Sequence, residues 1–191
     1  MIVLGVDPGL AHFGWAIYEC SPGGGPREAP RVGTFTSMPS ARRLRVLAAD
    51  DAVRRCRELA AWLDAMLGAC EPSVICAEAM SHPRGASAAA KLAMSWGVLA
   101  ALAERRRLPI IQASPQCCKR AVTSSRTASK AEVQDAVRSR WPGLRWPARV
   151  ADREHAADAL AAIIACLDSD VVRAATPPCA PSRESSHRTR R

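Results

Sequence analysis

Four side chains carry the pattern that matters chemically. Asp7 closes the apolar run Ile2-Val3-Leu4-Gly5-Val6 and is followed at once by Pro8-Gly9; Glu78 closes a second run, Val74-Ile75-Cys76-Ala77. A carboxylate at the carboxyl end of a buried strand emerges where α/β sheets bind their ligands. If the two strands are neighbours, two anions lie side by side and repel unless something positive neutralises them. A divalent cation is the simplest answer. His155 and Asp158 stand at i, i+3 in a segment that reads as helix, so both point from one face. Three hard oxygen donors and one nitrogen suit Mg2+ or Mn2+ more than zinc. Taken singly, each residue has a plainer reading. An aspartate before Pro-Gly forms turns, a glutamate can end a strand near an arginine, and His-x-x-Asp can complement a helix start. Occurring together at two strand ends and one helix start, they are most economically explained by one pocket with three or four ligands.

The elements that must position these residues follow from hydrophobic period. Residues 2–6, 13–18 and 32–36 read as strands, with the Gly/Pro-rich stretch 21–30 as a loop, which predicts an antiparallel meander. Residues 41–67 switch to helical period, with Leu44, Leu47, Leu59, Leu63, Met66 and Leu67 on the apolar side. Residues 74–77 read as a buried central strand. A helix is expected over 86–106, with Leu92, Trp96, Leu99 and Leu102 apolar, then a short strand at Ile110-Ile111. Two more helices are expected over 115–122 and 129–141, with the polar loop Thr123-Ser-Ser-Arg-Thr-Ala128 between them. The last helix is read over 151–167, Asp152 serving as N-cap and Glu154 lying in the first turn, where the helix dipole favours an acid. The order predicts an α/β fold with a mixed central sheet flanked by helices. The domain is expected over 1–170, followed over 171–191 by a basic tail whose composition cannot build a core.

Composition sets the class of partner. The net charge of +9 points to a polyanion, nucleic acid first, although an arginine-favouring codon bias gives the same excess. Of 27 basic residues only Lys91, Lys119 and Lys130 are lysine. No stretch reads as the roughly 20 apolar residues of a membrane span. The N-terminus has no basic region before its apolar run, so it reads as a strand and not a secretory signal. The eight cysteines form no CxxC pair, which favours buried thiols in a reducing cytoplasm over zinc or disulfides.

Together these residues resemble the RuvC family of Holliday-junction resolvases. The resemblance runs in order from Val3-Leu4-Gly5-Val6-Asp7-Pro8-Gly9 with Gly14, through Val74 to Glu78, to Lys91-Leu92 and Gly97-Val98. It continues through Lys119 and Ser129-Lys130-Ala131-Glu132-Val133-Gln134 to His155-Ala-Ala-Asp158-Ala-Leu160, and so covers roughly residues 2 to 167. It implies an RNase H-like fold, a homodimer acting on four-way DNA, and nucleoid-associated work beside branch-migration motor proteins. Asp7, Glu78, His155 and Asp158 would be the catalytic metal site for Mg2+ or Mn2+, two ions per site, with Asp7 bridging them. Lys119 and Lys130 would hold DNA phosphates. Paired, symmetric hydrolysis would leave 5′-phosphate and 3′-hydroxyl ends. The aromatic wedge that many members carry three residues after the second acid has no counterpart here; the position is Ser81, between Met80 and His82. The Arg-rich tail has none either.

Three other readings compete. A junction-binding module with little or no catalysis would need the fold without the acids. A nuclease of the same fold acting on other branched DNA or an RNA–DNA hybrid would keep the acids. Asp7-x-Gly9-x-x-x-x-Gly14 also resembles the phosphate turn of sugar-kinase and actin-like ATPases, whose two related domains 191 residues do not accommodate.

Overall fold

Strands β1 (Ile2–Asp7), β2 (His12–Glu19), β3 (Arg31–Thr36), β4 (Val74–Glu78) and β5 (Ile110–Ala113) form one sheet in the order β3-β2-β1-β4-β5 in the computed structural model. The structure describes residues 1–20, 28–80, 85–167, 169–170 and 172. Most of the 21–30 loop, Ser81, His82, Cys179 and nearly all of the 171–191 tail lie outside the described residues. The expected meander is present, β1 with β2 and β2 with β3 being antiparallel, whereas β1 with β4 and β4 with β5 are parallel. The sheet is therefore mixed, as the sequence predicted.

Side-chain alternation assigns each strand residue to a face. In β1, Leu4 and Val6 pack with Leu59, Leu63, Leu67, Ile75, Ala77 and Leu99, the layer built by α1 (Ala48–Cys70) and α2 (Ala86–Arg105). Val3 packs on the opposite face with Val74, Cys76, Leu160 and Ile163, beneath α3 (Pro115–Thr123), α4 (Lys130–Arg140) and α5 (Val150–Cys166). Leu4, Leu59, Leu63, Leu160 and Ile163 are each fully buried, and burial of such a side chain is worth about 1.5–3 kcal/mol. Gly5 lets α5 approach this second face, because a Cβ there would meet the Ala159 carbonyl at 2.3 Å. By the same alternation Asp7 and Glu78 belong to the α5 side.

Several boundaries differ from expectation. The helix anticipated from residue 41 begins at Ala48, and a single 3₁₀ turn, Arg42–Leu44, precedes it. Leu44 and Leu47 are consequently 61% and 70% exposed and are not core residues; the core face of α1 is Leu59, Leu63 and Leu67. In α2 the buried residues are Ser95, Leu99 and Ala103, with Leu92, Trp96 and Leu102 half-buried. That helix also corrects the reading that no stretch approaches a membrane span. It is 20 residues long with mean hydropathy 1.4 over its most apolar window, and only 17% of that window is buried. Its alanines raise hydropathy without filling a core. α5 starts at Val150 with Arg149 at the N-cap, so Asp152 lies in the first turn and caps nothing. The thiols behave as expected, with Cys20, Cys70, Cys76, Cys118 and Cys166 buried and free, whereas Cys117 is exposed. Val172 is also buried in the core.

Candidate active site

Two adjacent parallel strands deliver the first two carboxylates. β1 and β4 pair Val6 with Ala77, so Asp7 and Glu78 follow side by side as the strands end. The turn after Asp7 closes tightly: a Cβ on Gly9 would meet the His12 carbonyl at 2.3 Å, so the bend needs glycine. α5 supplies the other two residues as it crosses the same face. His155 Nδ1 lies 2.7 Å from Asp7 Oδ2. With Nδ1 donating to the Asp7 carboxylate, the neutral ring keeps Nε2 as its remaining ligand atom. The contact with α5 is close here too, since a Cβ on Gly14 would meet the His155 carbonyl at 2.1 Å.

All six residues singled out from sequence line one cleft of about 360 Å³: Asp7, Glu78, His155, Asp158, Lys119 from α3 and Lys130 from α4. Lys130 opens α4, whose start is fixed by a capping box. Ser129 Oγ accepts from the Glu132 backbone N–H, and the Glu132 carboxylate accepts from the Ser129 N–H. Burial pushes the Glu78 carboxyl up to about 7, reinforced by the charges of Asp158 and Asp7 and opposed by Lys119 and Lys130. Burial likewise raises Asp158 to about 6, with Asp7 adding to the rise. The hydrogen bond to Asp7 raises His155 above its ordinary value against the opposing effect of burial. Among the described residues no three His, Cys, Asp or Glu side chains form a tight preformed metal cage. The site is a crowded set of oxygen donors with one nitrogen, a donor chemistry that suits hard divalent cations more than soft ones.

Three contributors were not identified from sequence. Glu154, read there only as a first-turn acid, lines the cleft and pairs with Lys130. His12 stacks on His155 with ring centroids 5.3 Å apart and planes 10° from parallel. Its Nδ1 lies 3.4 Å from Thr36 Oγ1 and 4.0 Å from Asp152 Oδ1, and burial lowers its pKa. Asp152, whose carbonyl accepts from Thr34 Oγ1 at 2.8 Å, joins α5 to β3 beside this stack. Nothing local in the sequence signals these contacts, except that Glu154 and Asp158 stand at i, i+4 and so share a helix face.

Comparison with known proteins finds nucleases among the relatives. The family model described as "Crossover junction endodeoxyribonuclease RuvC" matches residues 3–166. The crossover junction endodeoxyribonuclease RuvC of Thermomicrobium roseum is 33% identical over 166 residues, covering 84% of this chain and 89% of the relative. That of Mycolicibacterium vanbaalenii is 36% identical, covering 86% and 77%. In fold, the chain is similar to Thermus thermophilus RuvC solved with a Holliday junction substrate, with a TM-score of 0.65 and 23% identity over 86% of this chain and 92% of that one.

Proposed function

The chain belongs to the RuvC family of crossover junction endodeoxyribonucleases, and on that footing we propose that its cleft hydrolyses phosphodiester bonds of four-way DNA junctions with Asp7, Glu78, His155 and Asp158 as the metal-binding catalytic set. The observation that carries this reading is the meeting of three carboxylates and an imidazole, from two strand ends and α5, in one cleft that two lysines also line. A binding module without catalysis would have no use for Glu78 and Asp158 buried beside Asp7, where burial first and the neighbouring charge second raise both carboxyls.

Asp7, Glu78, Asp158 and the free nitrogen of His155 would hold the cations, and oxygen-rich donors favour Mg2+ or Mn2+. Two ions per site is the count that suits phosphodiester hydrolysis. When bound, they supply positive charge that acidifies water and offsets charge building on the phosphate and leaving oxygen. The protein's own groups do the rest. Asp7 fixes the His155 ring by accepting from Nδ1. Glu78 and Asp158 give up protons as the cations take their place. Lys119 and Lys130 hold the substrate backbone as compact ammonium charges. The products are 5′-phosphate and 3′-hydroxyl ends.

Paired incision needs two such sites, and the exposed side of α2 is the surface we assign to a homodimer contact. Ala86, Ala90, Ala93, Gly97 and Ala100 are all exposed along it, and a Cβ at Gly97 would meet nothing within 4 Å. A ridge of small residues allows two helices to approach closely.

The test is cleavage of a labelled four-way junction beside a matched duplex and an RNA–DNA hybrid, in Mg2+, Mn2+ or EDTA. Symmetric, metal-dependent nicks confined to the junction are expected. Cutting of the hybrid alone would keep the site and change the substrate; tight junction binding without cutting in either metal would make the chain a binding module.

A further inference from the structure

The turn between β3 and α1 carries an unexplained surface. Residues 41–50 are all exposed, and they hold Arg42, Arg43 and Arg45 interleaved with Leu44, Val46 and Leu47. No acid occurs from Ser37 to Ala49. Among the described residues these three guanidinium groups have no hydrogen-bond or ion-pair partner. The backbone is nevertheless held in place. Ser37 N–H donates to the Ala11 carbonyl at 3.0 Å, and the buried Arg55 donates to Ser37 Oγ at 2.9 Å. Farther along, Asp51 accepts from the Ser40 N–H at 2.8 Å, and Arg54 donates to the Met38 carbonyl. Arg45 closes the 3₁₀ turn at φ 46°, a left-handed conformation that a side-chain-bearing residue rarely adopts.

The position of the turn says what it faces. β3 ends at Thr36, opposite His12, and Ala11 belongs to the bend that follows Asp7. The turn therefore leaves the sheet at the same end as the carboxylates, on the β3 side and just before α1. Lys119 and Lys130 stand on the other face, on α3 and α4.

We propose that the Arg42–Arg45 turn is a second phosphate-binding surface, gripping a duplex arm of the junction beyond the strand being cut. This rests on the functional reading above and deepens it. The occupant is DNA because the guanidinium groups are unpaired, unopposed by any acid between Ser37 and Ala49, and set on a backbone held at the sheet end that carries the carboxylates. Leu44, Val46 and Leu47 lie among them, where apolar side chains can rest against deoxyribose.

The test is equilibrium binding, by fluorescence anisotropy, of the full chain to a four-way junction with long arms and to one with arms trimmed close to the crossover. Ca2+ replaces Mg2+, and the salt concentration is varied. The triple variant Arg42→Ala, Arg43→Ala, Arg45→Ala should bind the long-armed junction on the order of ten- to a hundred-fold more weakly at low salt. Its log–log salt slope should be shallower by about two to three, given about 0.9 per phosphate contact. The trimmed junction should be bound equally by both proteins, and the corresponding triple lysine variant should recover most of the loss. An unchanged slope in the triple alanine variant, with Lys119→Ala still weakening binding, would overturn the turn assignment alone. Wild-type protein that does not prefer the junction to a duplex would overturn the functional reading itself. If Leu44→Ser with Leu47→Ser changes particle mass in light scattering while the arginine variant binds DNA normally, the surface is a protein contact and the proposal falls.

Discussion

Glu78 and Asp158 sit above the ordinary carboxylate range because burial withdraws water before any cation arrives. The sign of the consequence is definite. An acid whose pKa is raised by folding binds protons more tightly in the folded chain, so stability falls as pH climbs from about 4, the unfolded value, through about 6 and 7. His155, also raised, adds the same sign, its contribution being present below about 6.5 and lost above its folded value. In EDTA the melting temperature should therefore drop between pH 5 and 8, and Mg2+ or Mn2+ should restore more at pH 8 than at pH 5.5. Equal restoration at both would mean that these carboxyls do not receive the cation. Gly14→Ala tests the support behind them. Its Cβ would meet the His155 carbonyl carbon at 2.6 Å, so α5 must shift, at a cost of about 1–3 kcal/mol and with loss of cleavage beyond what instability explains. A variant with wild-type melting and activity would show that α5 tolerates displacement there. Asp7, Glu78, His155 and Asp158 were legible because each lies at a point that local pattern defines, a strand end or a helix face. His12 was not, since its stack on His155 exists only once α5 is laid across β2.

Secondary-structure elements were read well where period and burial agree and poorly where they part. The strand ends at Asp7 and Glu78 follow directly from apolar runs. The start of α1 does not, because Leu44 and Leu47 fit the helical spacing, yet Leu44 ends an exposed 3₁₀ turn and Leu47 is the exposed N-cap of α1. Asp152 looked like an N-cap because cap residues are recognised by type, whereas α5 begins before it and turns it towards Arg149 and His12. The opposite case is α4, whose Ser129-x-x-Glu132 signature is written plainly in the sequence and forms as a complete capping box. Ser129→Ala should lower unfolding stability by about 0.5–2 kcal/mol in a denaturant melt. Because Lys130 is the first residue of that helix, junction affinity should fall with it. A loss of stability with no change in affinity would separate the cap from the phosphate contact.

For the molecule as a whole, the sheet gathers acids at one edge and lays basic residues around them, while α2 leaves an apolar side uncovered. The sequence announced the charge but not its distribution, which depends on α3 and α4 folding back against α5 to bring both lysines to the cleft. Ala93→Glu, on the exposed side of α2, should convert a dimer to a monomer in light scattering without lowering protomer stability; an unchanged mass would move the interface elsewhere. The central claim is that one acidic cleft performs the hydrolysis and the basic surface around it does the binding. Single-turnover cleavage and equilibrium binding of the same four-way junction by wild type and Asp7→Asn measure the two separately. Asp7→Asn should cleave at least about a thousand-fold more slowly, the few kcal/mol expected when a metal site is lost, with junction affinity kept within a few-fold. Cleavage by Asp7→Asn at close to the wild-type rate would contradict it.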